Sequence, residues 1–265
     1  MAEQVITLGW VEVALLLVMM VAVVALSGWL RLGLGRSFAL GAARSVVQLT
    51  TVGFVIGWVF RQQSGFIVLG GLTMMCLVAG YTAARRSGER IAGLTGVLTG
   101  VVALVSIVAV TYLALAVLRL REWDPRYLIP LGGMLIGNAM NSATLAVERL
   151  GAELRGHAVD VETLLMLGAS PRRAAEDARK TAIRAAVSPT LNTMMTVGIV
   201  TLPGMMTGQL LGGSAPIQAA MYQLLILFGI AFCALTAAVM AVYAVAPRFF
   251  TPAWQLKREL VAPKK

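Results

Sequence analysis

Apolar runs of about twenty residues follow one another along almost the whole chain, broken by short loops that hold most of its charge. A hydrocarbon core about 30 Å thick is crossed by about 20 apolar residues of helix. Inside lipid the backbone has no water to bond, so each crossing segment must satisfy its own N–H and C=O groups, as a helix does. The runs place seven spans near Leu8–Leu30, Gly41–Phe60, Gly65–Ala83, Ile91–Leu118, Tyr127–Val147, Pro189–Leu211 and Ile217–Val245. With 58% apolar residues, 13% charged residues and a mean hydropathy of +0.83, the chain is more apolar than one soluble core of 265 residues can enclose. The expectation is an all-α integral membrane protein of about seven spans. It reads as one transmembrane domain over residues 1–265, without a large soluble domain, tandem repeat or flexible linker.

The formal charge of +10 does not point to nucleic acid, because the basic residues sit in short loops with no polar domain around them. Of the 22 Lys and Arg residues, 18 fall in one alternate set of loops, including Arg31, Arg36, Arg44, Arg85, Arg86, Arg90, the group from Arg149 to Arg184, Lys264 and Lys265. The other set has only Arg61, Arg119, Arg121 and Arg126. Positive-inside then puts the N-terminus outside and the C-terminus in the cytoplasm of a cell with the chain in its inner membrane, which an odd number of spans satisfies. Glu3 stands where a signal peptide carries basic residues, so the first apolar run is expected to remain as a helix. Cys76 and Cys233 fall in mid-span and read as small buried hydrophobes.

The long polar interruption, Glu148 to about Ser188, lies between spans five and six on the basic side. Asp160 is placed to cap a short helix, with Glu162 in its first turn and Val161, Leu164, Leu165 and Leu167 as an apolar face. Gly168 offers the left-handed residue that ends it. Ser170 is a second N-cap and Pro171 a first helical residue, so the segment reads as helix, turn, helix. The second helix sets Arg173, Glu176, Asp177, Lys180 and Arg184 opposite a face of alanines. Ser188-Pro189 repeats the cap signal and is expected to launch the sixth span.

The stretch ETLLMLGASPRRA, Glu162 to Ala174, resembles the EAA loop of bacterial ABC permeases, a Glu followed six residues later by Gly and then by Ala-Ser-Pro. Glu162, Gly168, Ala169, Ser170 and Pro171 take those places. Thr163 and Leu164 replace the two alanines of that pattern, and the Leu-Pro expected about a dozen residues after the glycine is missing, which departs from the importer class. The blocks ARSVVQLTTVGFVIG from Ala43, IPLGGMLIGNAMNS from Ile129, and IRAAVSPTLNTMMTVGIVTLPGMMTGQ from Ile183 resemble the FetB/YbbM-type permease family of bacteria, linked to iron export and related to plant aluminium-tolerance proteins. That resemblance implies a homodimer of permeases bound to two copies of a cytoplasmic ABC ATPase, working as an exporter of iron or another transition-metal cation. Val161, Glu162, Leu164, Leu165 and Gly168 to Pro171 would then form the coupling element. No G-x-x-x-x-G-K-[ST] occurs, so ATP and Mg are expected on the partner subunit and no cofactor on this chain, which is not itself an enzyme.

Candidate pathway residues follow from polar groups at helical spacing. Met134, Asn138, Asn141 and Ser142 share a face of the fifth span, and Asn192, Thr193 and Thr196 one of the sixth. Pro203-Gly204 interrupts the sixth span and is expected to free carbonyls near Ile199 and Val200. Gln48, one turn beyond Arg44, is a candidate for the bundle interior. These side chains serve equally well as hydrogen-bonded joints between helices. The four-residue glycine spacings, Gly53/Gly57, Gly96/Gly100, Gly133/Gly137 and Gly204/Gly208, suggest helix packing. Paired methionines offer soft ligands or simple packing, and Glu12 either attracts cations or is merely solvated. A permease for a small anion or nucleotide sugar, or an ion-driven secondary transporter, are the alternative readings.

Overall fold

The computed structural model describes residues 9–62, 64–120 and 124–261, and every long element in it is a helix. Glu3, Leu8, Arg121, Lys264 and Lys265, used above, lie outside the described residues. The chain forms two compact units, 1–63 and 64–265. In the first, α1 (Trp10–Trp29) and α2 (Gly35–Gln62) pack against each other. The Glu12 carboxylate accepts the N–H of Gly9 at 2.8 Å, so this acid is fixed to the positive end of its own helix.

The second unit contains α3 (Gly65–Arg86), α4 (Leu94–Tyr112) continued by a π-helical turn (Leu113–Val117), and α5 (Pro125–Gly156). After these come α6 (Ala158–Met166), α7 (Pro171–Ala174), α8 (Glu176–Thr196), α9 (Gly204–Leu211), α10 (Pro216–Val245) and a short α11 (Arg258–Val261). Among the described residues four helical stretches are long and apolar enough to cross a membrane: Gly35–Gln62, Gly65–Arg86, Leu94–Val117 and Pro216–Phe249. The apolar part of α1, Ala14–Trp29, is shorter.

Two expected boundaries move. The helix expected as the fifth span is α5, which does not stop near Val147 but runs on to Gly156 through Glu148, Arg149, Glu153 and Arg155. Ser188-Pro189 starts no helix: α8 is continuous from Glu176 to Thr196, with Pro189 inside it and Ser188 Oγ donating to Arg184 O at 2.7 Å. The charged segment and the first part of the expected sixth span are therefore a single helix.

α5 is the centre of the unit, packed on α3, α4, α8 and α10. Small residues let these backbones approach: Ala139, Ala143 and Ala146 of α5, Ala178, Ala182 and Ala186 of α8, and Ala234, Ala237, Ala238 and Ala241 of α10 are all buried. Apart from Gly133, where a Cβ would stand 3.0 Å from Met75 Cε, the glycines that permit close approach are not the paired ones. A Cβ on Gly80 would collide with Thr99, on Gly132 with Leu72, and on Gly229 with Leu113. Gly53, Gly57, Gly96, Gly100, Gly137, Gly204 and Gly208 face open space.

Candidate functional site

At the end of α5 the chain turns at His157, which closes α5 and opens α6. Asp160 is thus in the first turn of α6, where its carboxylate lies 3.3 Å from His157 Nδ1, rather than at the cap. α6 ends in a Schellman motif: Gly168 has φ +88°, its N–H donates to Leu165 O at 3.0 Å, and Ala169 N–H donates to Leu164 O at 2.9 Å. Ser170 then caps α7, with Arg173 N–H 3.4 Å from its Oγ, and Pro171 is the first helical residue. Helix, left-handed turn and capped helix follow the sequence signals closely.

The side chains of this hairpin sort differently from the expected single apolar face. Val161 is buried, Leu165 and Glu162 are half-buried, and Leu164 is exposed. Met166 and Leu167 are 80% and 79% exposed. The outward apolar tip is therefore Met166-Leu167, while Val161 and Leu165 anchor the hairpin. Behind it, Glu176 joins Arg173 at 3.1 Å and Lys180 at 2.6 Å, and these cations hold its carboxyl below its usual range.

A buried ion pair ties this end of the unit together. Arg155 donates from both terminal nitrogens to Glu89, at 2.9 and 2.7 Å, and from Nη1 to Leu260 O at 3.3 Å. The Glu89 carboxylate raises the Arg155 guanidinium above its ordinary value, against the opposing effect of burial. Arg248 donates to Ala92 O at 2.6 Å, fastening the C-terminal segment to the loop between α3 and α4. Sequence reasoning passed over Glu89 and Arg155 because one lies in the loop between α3 and α4 and the other at the end of α5, 66 residues apart.

The polar residues of α5 and α8 divide into two sets. Ser142 and Thr190 are buried, whereas Asn141, Asn192 and Thr193 are exposed. Asn138 Nδ2 donates to Met134 O, Thr193 Oγ1 to Pro189 O and Thr196 Oγ1 to Asn192 O, at 2.8, 3.0 and 2.9 Å. Each bonds its own helix and none joins two helices. Gln48 stands on an exposed face of α2, within the first unit.

Pro203-Gly204 does not kink a continuous helix. α8 has already stopped at Thr196, Gly198 takes φ +81°, and Thr196 O accepts from Ile199, Val200 and Thr201 N–H at 3.3, 2.9 and 3.3 Å. Pro203 is the cap residue of α9. The expected free carbonyls are thus replaced by a tight turn, with Ile199 and Val200 outward. Two further groups went unnoticed in the sequence: the amide oxygens of Gln209 on α9 and Gln223 on α10 are buried without a hydrogen-bond partner. Among the described residues, no three or more His, Cys, Asp or Glu side chains come together in a metal-binding group.

The description of the uncharacterised protein family UPF0014 matches residues 10–250. The chain belongs to the UPF0014 family. It is a multi-pass membrane permease of that family. The UPF0014 membrane protein slr1647 of Synechocystis is 38% identical over 229 residues, covering 86% of this chain and 88% of that one. ALUMINUM SENSITIVE 3 of Arabidopsis thaliana is 36% identical over 255 residues, covering 94% and 90%. The probable iron export permease protein FetB of Escherichia coli is 30% identical over 245 residues, covering 92% and 93%. No solved structure matches the chain.

Proposed function

We propose that this UPF0014 permease is the membrane subunit of an ABC exporter, with seven crossings in one domain, and that its cargo is iron or another transition-metal cation. The observation that carries the coupling role is the hairpin itself. Gly168 and Ser170-Pro171 make a rigid corner, Val161 and Leu165 root it, and Met166-Leu167 project from it. A projecting apolar tip on a corner continuous with α5 and near α8 can transmit a partner's movement to both helices. The cargo rests on likeness to a protein called a probable iron export permease.

The pathway in this reading lies along α5 and α8. Exposed Asn141 and Asn192 are poorly suited to lipid, where an amide without a hydrogen-bond partner is costly, and Thr193 is exposed next to Asn192. A second copy of the chain would enclose them in a wet path, with Met134, Asn138, Ser142, Thr196, Pro203 and Gly204 beside it. ATP and Mg would be held by two ATPase subunits.

Reconstituted vesicles test the reading. With the partner ATPase present, ATP-dependent flux of the metal is expected, and Gly168→Pro should lose ATPase association. Co-purification of that variant with the ATPase at wild-type yield would remove the coupling assignment. Flux driven by an ion gradient alone would point to a secondary transporter.

A further inference from the structure

Beside the hairpin, a cavity of about 570 Å³ opens between the start of α7 and the segment that follows α10, with Pro171, Arg172 and Ala175 on one side and Tyr243, Phe250 and Trp254 on the other. The C-terminal segment is a built element. Phe250 and Leu256 form an antiparallel bridge, Thr251 N–H donates to Gln255 O at 2.8 Å, and Gln255 N–H donates to Thr251 Oγ1 at 3.1 Å. Lys257 N–H donates back to Phe249 O at 2.8 Å, and Phe249, Phe250 and Leu256 are buried. The turn anchored in this way holds Trp254 at φ +61°, a region that residues with a Cβ seldom occupy, and leaves its side chain 55% exposed. A large aromatic group held outward by a tight turn, next to an apolar cleft, is the kind of anchor that protein interfaces use.

The chemistry of the cleft selects its occupant. The guanidinium of Arg179 lies 4.9 Å from the centre of the Tyr243 ring and donates to Arg172 O at 2.5 Å and Ala175 O at 3.4 Å. Two of its five N–H donors are thus turned back onto the protein's own carbonyls. Arg172 is exposed at the mouth, and no Asp or Glu is among the lining residues. Walls of proline, alanine and aromatic carbon with a positive rim fit an apolar side chain flanked by a carboxylate. Ser170 and Pro171 belong both to this cleft and to the hairpin corner, so the two surfaces are continuous.

We infer that the Thr251–Gln255 turn and this cleft form a second docking element for the ATPase subunit, receiving an apolar side chain next to an acidic one. The identity of the partner rests on the coupling reading above, and the two surfaces share only Ser170 and Pro171. A benzophenone amino acid is placed at Trp254 in the full-length chain, and in parallel at Leu167, in cells that produce it natively, and the photoadducts are identified by mass spectrometry. An ABC ATPase is expected at both positions, and Arg172→Glu should lower the yield at 254 about fivefold or more, the effect of reversing a rim charge. An ATPase adduct at 167 but not at 254 overturns this inference and leaves the coupling reading intact. No ATPase adduct at either position removes both. A phospholipid or a second copy of the chain at 254, or a yield unaffected by Arg172→Glu, also overturns it.

Discussion

Arg155 and Glu89 meet through two parallel hydrogen bonds at 2.9 and 2.7 Å, with the Glu89 side chain 2% exposed and that of Arg155 18%. Neither residue is on a helix face that periodicity would single out. The pair joins the end of α5, just before the hairpin, to the loop between α3 and α4, and the third Arg155 bond adds Leu260. Under the proposed coupling role the hairpin would have a fixed base to push against.

Removing Glu89 should be costly, because the Arg155 charge stays largely buried without its carboxylate. Glu89→Ala is expected to lower the stability of the purified permease by about 3–5 kcal/mol, the range for a broken buried pair. Arg155→Lys keeps the charge but loses the paired geometry, so it should fall between wild type and Glu89→Ala. Thermal unfolding in detergent gives the order; equal melting temperatures for all three would remove the role assigned to the pair.

Gly151 makes room for that carboxylate, since a Cβ there would stand about 2.5 Å from Glu89 Oε1. Gly151→Ala should destabilise by about 1–3 kcal/mol, as overpacking does. Gly137→Ala, on the same helix in open space, should be neutral or gain about 0.5–1 kcal/mol from helix propensity. The contrast between two identical substitutions on α5 is the measurement, and a reversed order contradicts the geometry.

On the hairpin, exposure separates fold from coupling. Met166→Asp with Leu167→Asp changes two outward side chains and should leave the melting temperature nearly unaltered, within about 0.5 kcal/mol for exposed sites. ATPase co-purification should nevertheless be lost. Val161→Asp buries a charge at a position that is 4% exposed and should reduce the folded yield itself. If the double variant retains the ATPase, the tip is not the coupling surface.

The break after α8 has its own test. A continuous helix would put residues 193 and 207 about 21 Å apart, at 1.5 Å per residue. Because the turn is set by Gly198 and by the three amides on Thr196 O, Pro203→Ala should leave the distance between spin labels at Thr193 and Thr207 unchanged. A shift to about 21 Å in that variant would show that Pro203 alone makes the break. Gly198→Ala, forced to a left-handed φ, should cost about 1–2 kcal/mol.

Local signals and long-range ones were unequally legible. Gly168, Ser170 and Pro171 act within four residues of one another, so their turn and cap could be written down from the chain alone. The end of the α8 helix at Thr196 was missed because Pro203 is the more conspicuous breaker, while Gly198, two residues beyond the helix, needed its backbone angle to be recognised. The continuation of α8 through Ser188-Pro189 was missed for the opposite reason: these two residues have the composition of a cap, yet α5 and α10 pack against α8 and its buried alanines and the helix runs on through them.

By itself the sequence determined that the chain is helical and multi-pass, because lipid forbids unbonded backbone and the apolar runs have the length of a span. It determined the hairpin corner too, through residues whose backbone preferences are intrinsic. Only the tertiary structure decided which side chains of that hairpin face outward, which glycines carry helix contacts, and that Arg155 closes on Glu89. Those depend on the rotation of one helix against another and on residues far apart in sequence, and no local preference encodes either.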